Sequence, residues 1–232
     1  MEKALIALID GYTLFRLGVR SVLEAKQNIE VVGEADNTDE ALILIEDNQP
    51  NIALLDTSLP HIFDLTWQMN RRFPSISVIL LAEEEDEEEV FKGLKYGVAA
   101  YVTRVIECED LVDITKRVSQ GGLPIIEKLF NPNVASLILG EFRAFAIEKR
   151  QGITMTPLSF QQAALLGQIE KGNSVGQIAS TMKLSEQAIN GDLISIRHKL
   201  VANEHKHDAT LALCYGLSPV THEIDRVERV DR

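Results

Sequence analysis

Short apolar runs alternate with amphipathic segments along the first half of the chain. Residues 4–9, 29–32, 52–55, 76–81 and 99–102 are rich in Val, Ile, Leu and Ala, and runs of this length read as buried strands. The segments between them repeat apolar positions at helical spacing. Leu14, Gly18, Val22 and Ala25 share one face; Thr38 is placed to cap a helix carrying Ala41, Leu42 and Ile45; Val90, Leu94 and Gly97 continue another. A last helix over 111–118 stops at Gly121-Gly122, residues suited to a helix C-terminus. Five β-α units of this length predict an α/β fold, a doubly wound five-stranded parallel sheet.

Beyond residue 122 the period stays helical and the strands cease. Val134, Leu137, Ile138, Glu141 and Phe145 form one helical face, opened by Asn131-Pro132-Asn133 and closed by Lys149-Arg150-Gln151-Gly152, which reads as a linker helix. Ser159 and Gln162 then stand at capping-box spacing before Leu165, Leu166 and Ile169. Lys171-Gly172-Asn173-Ser174 interrupts that helix, residues 175–182 form a second, and Ser185 caps a third that runs to Leu200. Two short helices and a tight turn before a longer one predict a small all-α helix-turn-helix domain. A fourth helix over 207–217 closes it. The expected organisation is an α/β domain at 1–122, a linker with its helix at 123–152, a helix-turn-helix domain at 153–218 and a polar tail at 219–232.

Charge separates the two parts. Of the 232 residues, 1–150 hold 15 Lys and Arg against 26 Asp and Glu, whereas 151–232 hold 8 against 9. The acidic first part argues against a membrane surface or nucleic acid as its own partner and leaves the second part open to either. Cys108 and Cys214 are far apart and lack metal-ligand spacing, which fits a reduced cytoplasmic setting. The apolar stretch near Met1 is too short to span a bilayer and has no cleavage site after it, so no membrane association is expected.

Candidate chemistry gathers at two strand ends. The third apolar run ends in Asp56 before Thr57-Ser58-Leu59-Pro60, and the first ends in Asp10; both would lie at the carboxyl edge of the sheet, where open α/β folds bind ligands. Leu8-Ile9-Asp10, Leu54-Leu55-Asp56 with Pro60, and Ala100-Tyr101-Val102 resemble the receiver domain of bacterial response regulators, over the span to about Gly122. That resemblance implies an acidic pair, a phosphoacceptor Asp, a hydroxyl residue and a Lys around Mg²⁺. Here Asp10 keeps the first acid and Asp56 the phosphoacceptor, while Gly11, Ala82 and Arg104 replace the second acid, the hydroxyl residue and the Lys. Tyr101 completes the pocket. With one acid lost, Asp10 and Asp56 are left as ligands of a weakened Mg²⁺ site and no other cofactor is expected. Without the hydroxyl, phosphorylation loses its handle on the far surface. The acidic run 83–89 is read as a solvated helix start, with a partner-binding rim or a carboxylate reaching the metal site as sharper alternatives. At 123–126, Leu123-Pro124-Ile125-Ile126 lacks the aromatic and Arg by which some relatives hold a cyclic dinucleotide.

The second half resembles the LuxR-type DNA-binding domain from Leu158 to about Ala212, through Gly172, Ile178-Ala179, Leu184-Ser185-Glu186, Ile189 and Lys199-Leu200. A receiver followed by this domain is the arrangement of the NarL/FixJ response regulators. The resemblance implies duplex DNA as ligand and a homodimer as the binding form, with a sensor kinase or another protein as input. Gln187 and Asn190 are types that read adenine edges, and Arg197, Lys199 and Lys206 are the expected phosphate contacts. Gly191, Asp192 and the scarcity of cations work against tight binding. His205 and His207 are wrongly spaced to ligate a metal from one helical face. No nucleophile-base arrangement points to an enzyme. The expected function is a transcriptional regulator acting largely without phosphorylation; the alternatives are a scaffold that has lost DNA binding and a conventional phosphorylation-driven regulator.

Overall fold

Alternation of side chains along a strand sends successive residues to opposite faces, and here both faces are covered. In the computed structural model, which describes residues 3–148 and 155–214, Ala7, Ile9, Ala53, Leu55, Val78 and Leu80 enter one core while Ile6, Leu8, Ile52, Leu54, Ile79 and Leu81 enter the other. The strands β1 (Ala4–Ile9), β2 (Ile29–Ala35), β3 (Ile52–Asp56), β4 (Ser77–Ala82) and β5 (Ala100–Thr103) pair in the order β2-β1-β3-β4-β5, all parallel. This is the expected doubly wound sheet. The reversal of strand order at β1 and β3 brings Asp10 beside Asp56 at the carboxyl edge.

Helices α1 (Thr13–Glu24) and α5 (Cys108–Ser119) cover one face; α2 (Thr38–Asn48), α3 (Ile62–Arg72) and α4 (Glu87–Lys95) cover the other. Two local expectations are corrected. The buried stripe of α1 is Val19 and Leu23 with Phe15 and Val22 against it, not Leu14 and Gly18: Leu14 is 85% exposed. Helix α2 is capped by Asn37, whose side chain accepts from the Glu40 N–H at 2.9 Å, with Thr38 already inside the helix.

Between the sheet and the second domain lies a 3₁₀ segment, Pro124–Phe130, that the sequence pattern did not announce. Its Ile125, Ile126 and Leu129 are buried, and the Ile125 N–H donates to the Ala99 carbonyl at 2.9 Å. Helix α6 (Pro132–Glu148) follows and buries Val134, Ala135, Ile138, Leu139, Phe142 and Phe145. One apolar core therefore runs from the sheet through α6 into α7 (Phe160–Glu170), α8 (Val175–Met182) and α9 (Glu186–Cys214). The capping box of Ser159 and Gln162 forms as expected, and Ser174 with Gln177 builds another.

The expected break after Leu200 is absent. Helix α9 continues unbroken to Cys214, so the third and fourth helices are one. Residues 200–207 contain neither Gly nor Pro, and Ala202, Glu204 and Lys206 favour a helix. The helix stop at 149–152 and the tail at 219–232 lie outside the described residues.

Candidate functional site

Asp10 and Asp56 are both buried at the ends of β1 and β3. Two carboxylates side by side out of water need a cation, and Arg104 supplies it. Its Nη2 lies 2.9 Å from Asp10 Oδ2 and 2.8 Å from Asp56 Oδ2. Asp10 Oδ2 and Arg104 Nη2 meet off the hydrogen-bonding axis, so that contact is ionic. The Arg104 N–H donates to the Ala82 carbonyl at 2.8 Å, which fixes where the side chain leaves β5. The guanidinium then stacks on two rings, 4.7 Å from the centroid of Tyr12 and 4.2 Å from that of Phe15.

The carboxylates are further braced by their own turns. Asp10 Oδ1 accepts from the Tyr12 N–H at 2.7 Å, and Arg16 Nη1 donates to the Asp10 carbonyl at 2.5 Å. Asp56 accepts from the Ser58 N–H at 3.0 Å and from Ser58 Oγ at 2.7 Å. Burial holds the Asp10 carboxyl above its ordinary pKa; the Tyr12 N–H opposes this, the Asp56 charge adds to it, and Arg104 opposes it.

These residues do not fit Mg²⁺. An octahedral hard-ion site needs carboxylate oxygens turned to a common centre, and the two that remain already face a guanidinium. Gly11 brings no carboxylate, and its nearest neighbour beyond the turn is Leu59. Among the described residues no group of three or more His, Cys, Asp or Glu is placed to hold a metal ion. Ala82 is buried at the end of β4. Tyr101 lies inward, its hydroxyl 3.0 Å from Glu89 Oε2 and 3.2 Å from the Glu84 carbonyl, and burial, then the Glu89 charge, raises its pKa. Of the pocket residues named from the sequence, Asp10, Asp56 and Arg104 are in contact, whereas the Tyr101 hydroxyl is turned to the 84–89 segment. Tyr12, Phe15 and Ser58 were missed; a pair of aromatics two and five residues past the first acid was the available signal.

The helix-turn-helix residues divide into two groups. Lys183 takes a left-handed conformation with φ of 55° and turns the chain from α8 into α9. Gln187, Asn190 and Gly191 are exposed on the first turns of α9. Asp192 is held by Gln161 Nε2 at 2.6 Å. The expected phosphate contacts are engaged within the protein. Lys199 Nζ donates to the Pro157 carbonyl and to Gln162 Oε1, at 2.9 and 2.8 Å, and Lys206 Nζ to Thr156 Oγ1 at 3.0 Å.

Arg197 departs most from expectation. It is 7% exposed and reaches into the receiver, where Nη2 donates to the carbonyls of Gly97 at 2.5 Å and Val98 at 3.0 Å. Among the described residues no carboxylate accompanies it and Nε has no partner, and burial pulls its pKa down to about 10. In this conformation it cannot touch phosphate. The same interface holds Lys95, whose Nζ lies 2.6 Å from Glu141 Oε1 on α6 and 2.9 Å from Glu204 Oε2 on α9. The His205 ring packs at a tilt on Trp67, with ring centroids 4.4 Å apart. Sequence reasoning missed this interface because its members come from four helices distant in sequence.

Residues 6–116 match the family model for the response regulator receiver domain. The chain is 26% identical over 217 residues to the transcriptional regulatory protein DegU of Brevibacillus brevis, covering 88% of this chain and 90% of that protein. It is 25% identical over 213 residues to the response regulator protein VraR of Staphylococcus aureus, covering 91% and 95%. Among solved structures, the receiver domain of the putative response regulator NarL from Mycobacterium tuberculosis is 27% identical, with a TM-score of 0.50 over 52% of this chain and 99% of that one. No helix among the described residues is long and apolar enough to cross a membrane. Residues 6–116 thus match the response regulator receiver domain, and with the helix-turn-helix that follows, the chain is similar to response regulators of the NarL/FixJ and LuxR kind.

Proposed function

We propose that this protein is a DNA-binding transcriptional regulator whose receiver works without phosphorylation, because Arg104 supplies from within the positive charge that a metal would bring. One observation carries this reading: a single guanidinium nitrogen bridges Asp10 and Asp56 at 2.9 and 2.8 Å. Asp56 Oδ2, the atom that would attack a phosphodonor, is engaged by both Arg104 and Ser58. Phosphoryl transfer depends on metal ions to neutralise developing charge, and nothing in the pocket fits one. Gln187 and Asn190, exposed on α9, are the groups offered to base edges, with the protein bound as a homodimer on paired half-sites. The divisions after residues 122, 152 and 218 follow the same reading, as does control by a protein partner in place of a sensor kinase.

The burial of Arg197 favours a second reading, a scaffold that does not bind DNA at all. Selection of random duplexes by the unphosphorylated protein separates the two. Enrichment of a palindromic site, with affinity that falls with salt and is indifferent to a phosphodonor with Mg²⁺, supports the regulator. No enrichment supports the scaffold, and stoichiometric phosphorylation of Asp56 that changes affinity overturns the phosphate-independent reading.

A further inference from the structure

The receiver and α9 meet across a patch built around the chain's single tryptophan. Trp67 on α3 is covered on one side by His205, at 4.4 Å and an interplanar angle of 47°, and packs against Tyr96 at 5.4 Å. The Arg71 guanidinium lies 5.8 Å from the Trp67 ring centroid, so the ring already serves a cation. Arg71 on α3 and Asp208 on α9 act on the charge of His205, while Asp64 on α3, Lys95 on α4 and Glu204 on α9 act on the neighbouring Tyr96. Glu204 is committed to Lys95, and Asp64 lies 3.2 Å from His61 Nδ1.

We infer that the contact between the receiver and α9 is a proton-sensitive latch, with His205 as the group whose protonation opens it. A neutral imidazole packs on Trp67 without cost. An imidazolium there stands half out of water beside Arg71, on a ring whose affinity for cations is already used, and Asp208 alone is left to offset it. In agreement, burial, then the Arg71 charge, lowers the pKa of His205 in the closed form, with Asp208 opposing. The closed form therefore binds the proton more weakly than the open one. Closure holds above the ordinary histidine value of about 6.5 and is lost as pH falls below it. Because Arg197 and His205 share one unbroken helix, release at His205 withdraws Arg197 from the Gly97 and Val98 carbonyls and returns it to solvent. Acidification is then the input that the silent phosphorylation pocket does not provide.

The test uses the full chain and no DNA, so its failure is distinct from failure of the DNA-binding reading. Trp67 emission and the radius of gyration from X-ray scattering are followed from pH 7.5 to 5.5, with far-UV circular dichroism alongside. The expected result is a joint change in emission and radius at constant helicity, rising at most tenfold in open-to-closed ratio per pH unit, as one proton requires. His205→Gln should stay closed throughout, His205→Lys should be open at pH 7.5, and His207→Gln should behave as the parent. A radius unchanged to pH 5.5, the same transition in His205→Gln, or a transition that coincides with loss of helicity overturns the latch.

Discussion

Replacing Arg104 by Met keeps an unbranched apolar chain beside Tyr12 and Phe15 and removes the guanidinium with its charge. Asp10 and Asp56, both buried, then face each other without the cation that lay within 3 Å of each. Removing one partner from a buried ionic cluster costs about 3–5 kcal/mol, and the upper half of that range is expected because two carboxylates lose their partner at once. The loss should depend on pH. Once the guanidinium is gone, the carboxyls relieve their repulsion by taking up a proton, so the penalty shrinks as pH falls. Urea unfolding followed by Trp67 emission, which reports on α3 of the receiver, should show a loss of about 4–5 kcal/mol at pH 7.5 and less than half of it at pH 5. Adding Asp10→Asn to the variant should recover most of the loss at pH 7.5. A loss below about 1 kcal/mol, or one equal at the two pH values, would refute the claim that Arg104 neutralises this pocket.

Asp10→Asn in the parent has its own signature. The folded-state pKa of Asp10 is raised, so its contribution is full at low pH and is lost as pH rises from about 4 through the folded value; urea titrations between pH 4 and 7 should show a smaller loss in the variant, and equal slopes would count against the shift. Gly97 adopts φ of +79°, and a Cβ there would lie 2.0 Å from Asn70 Nδ2, which donates to the Tyr96 carbonyl at 3.0 Å. Gly97→Ala should therefore cost about 2 kcal/mol from backbone strain and a lost hydrogen bond, measured as a shift of the urea midpoint. The triple variant Gly11→Asp, Ala82→Thr, Arg104→Lys should gain Mg²⁺ binding detectable by calorimetry and modification of Asp56 by a small phosphodonor. Absence of both would mean that more than these three positions silenced the pocket.

Much of the receiver was legible because its signals are local. Four of the five apolar runs end within one residue of a strand end, and Asp10, Asp56 and Ala82 follow such runs directly, with Gly11 and Arg104 one residue further on. What Arg104 does was not legible, since its ring partners belong to a different β-α unit and only the folded sheet brings them together. The stripe on α1 went astray by one position because Leu14 and Leu17 are apolar yet exposed, and residue type alone does not say which side faces inward. Asn37 and Thr38 are adjacent cap-formers, and the sequence does not rank them. The break expected after Leu200 had no stop signal behind it, since residues 200–207 contain neither Gly nor Pro. Arg197 carried the signature of a phosphate contact, and a bare charge count could not reveal that its guanidinium would be spent on backbone carbonyls 99 and 100 positions away.

The unbroken course of α9 also has a mechanical meaning. From Gln187 to His205 the helix is a stiff rod of about 27 Å, at 1.5 Å per residue. A tilt of about 10° pivoting at His205 sweeps Gln187 through roughly 5 Å, comparable to the width of a base-pair step or more. Small adjustments against Trp67 are thus magnified at the end offered to DNA, and with no joint between the two ends there is nowhere for the motion to dissipate.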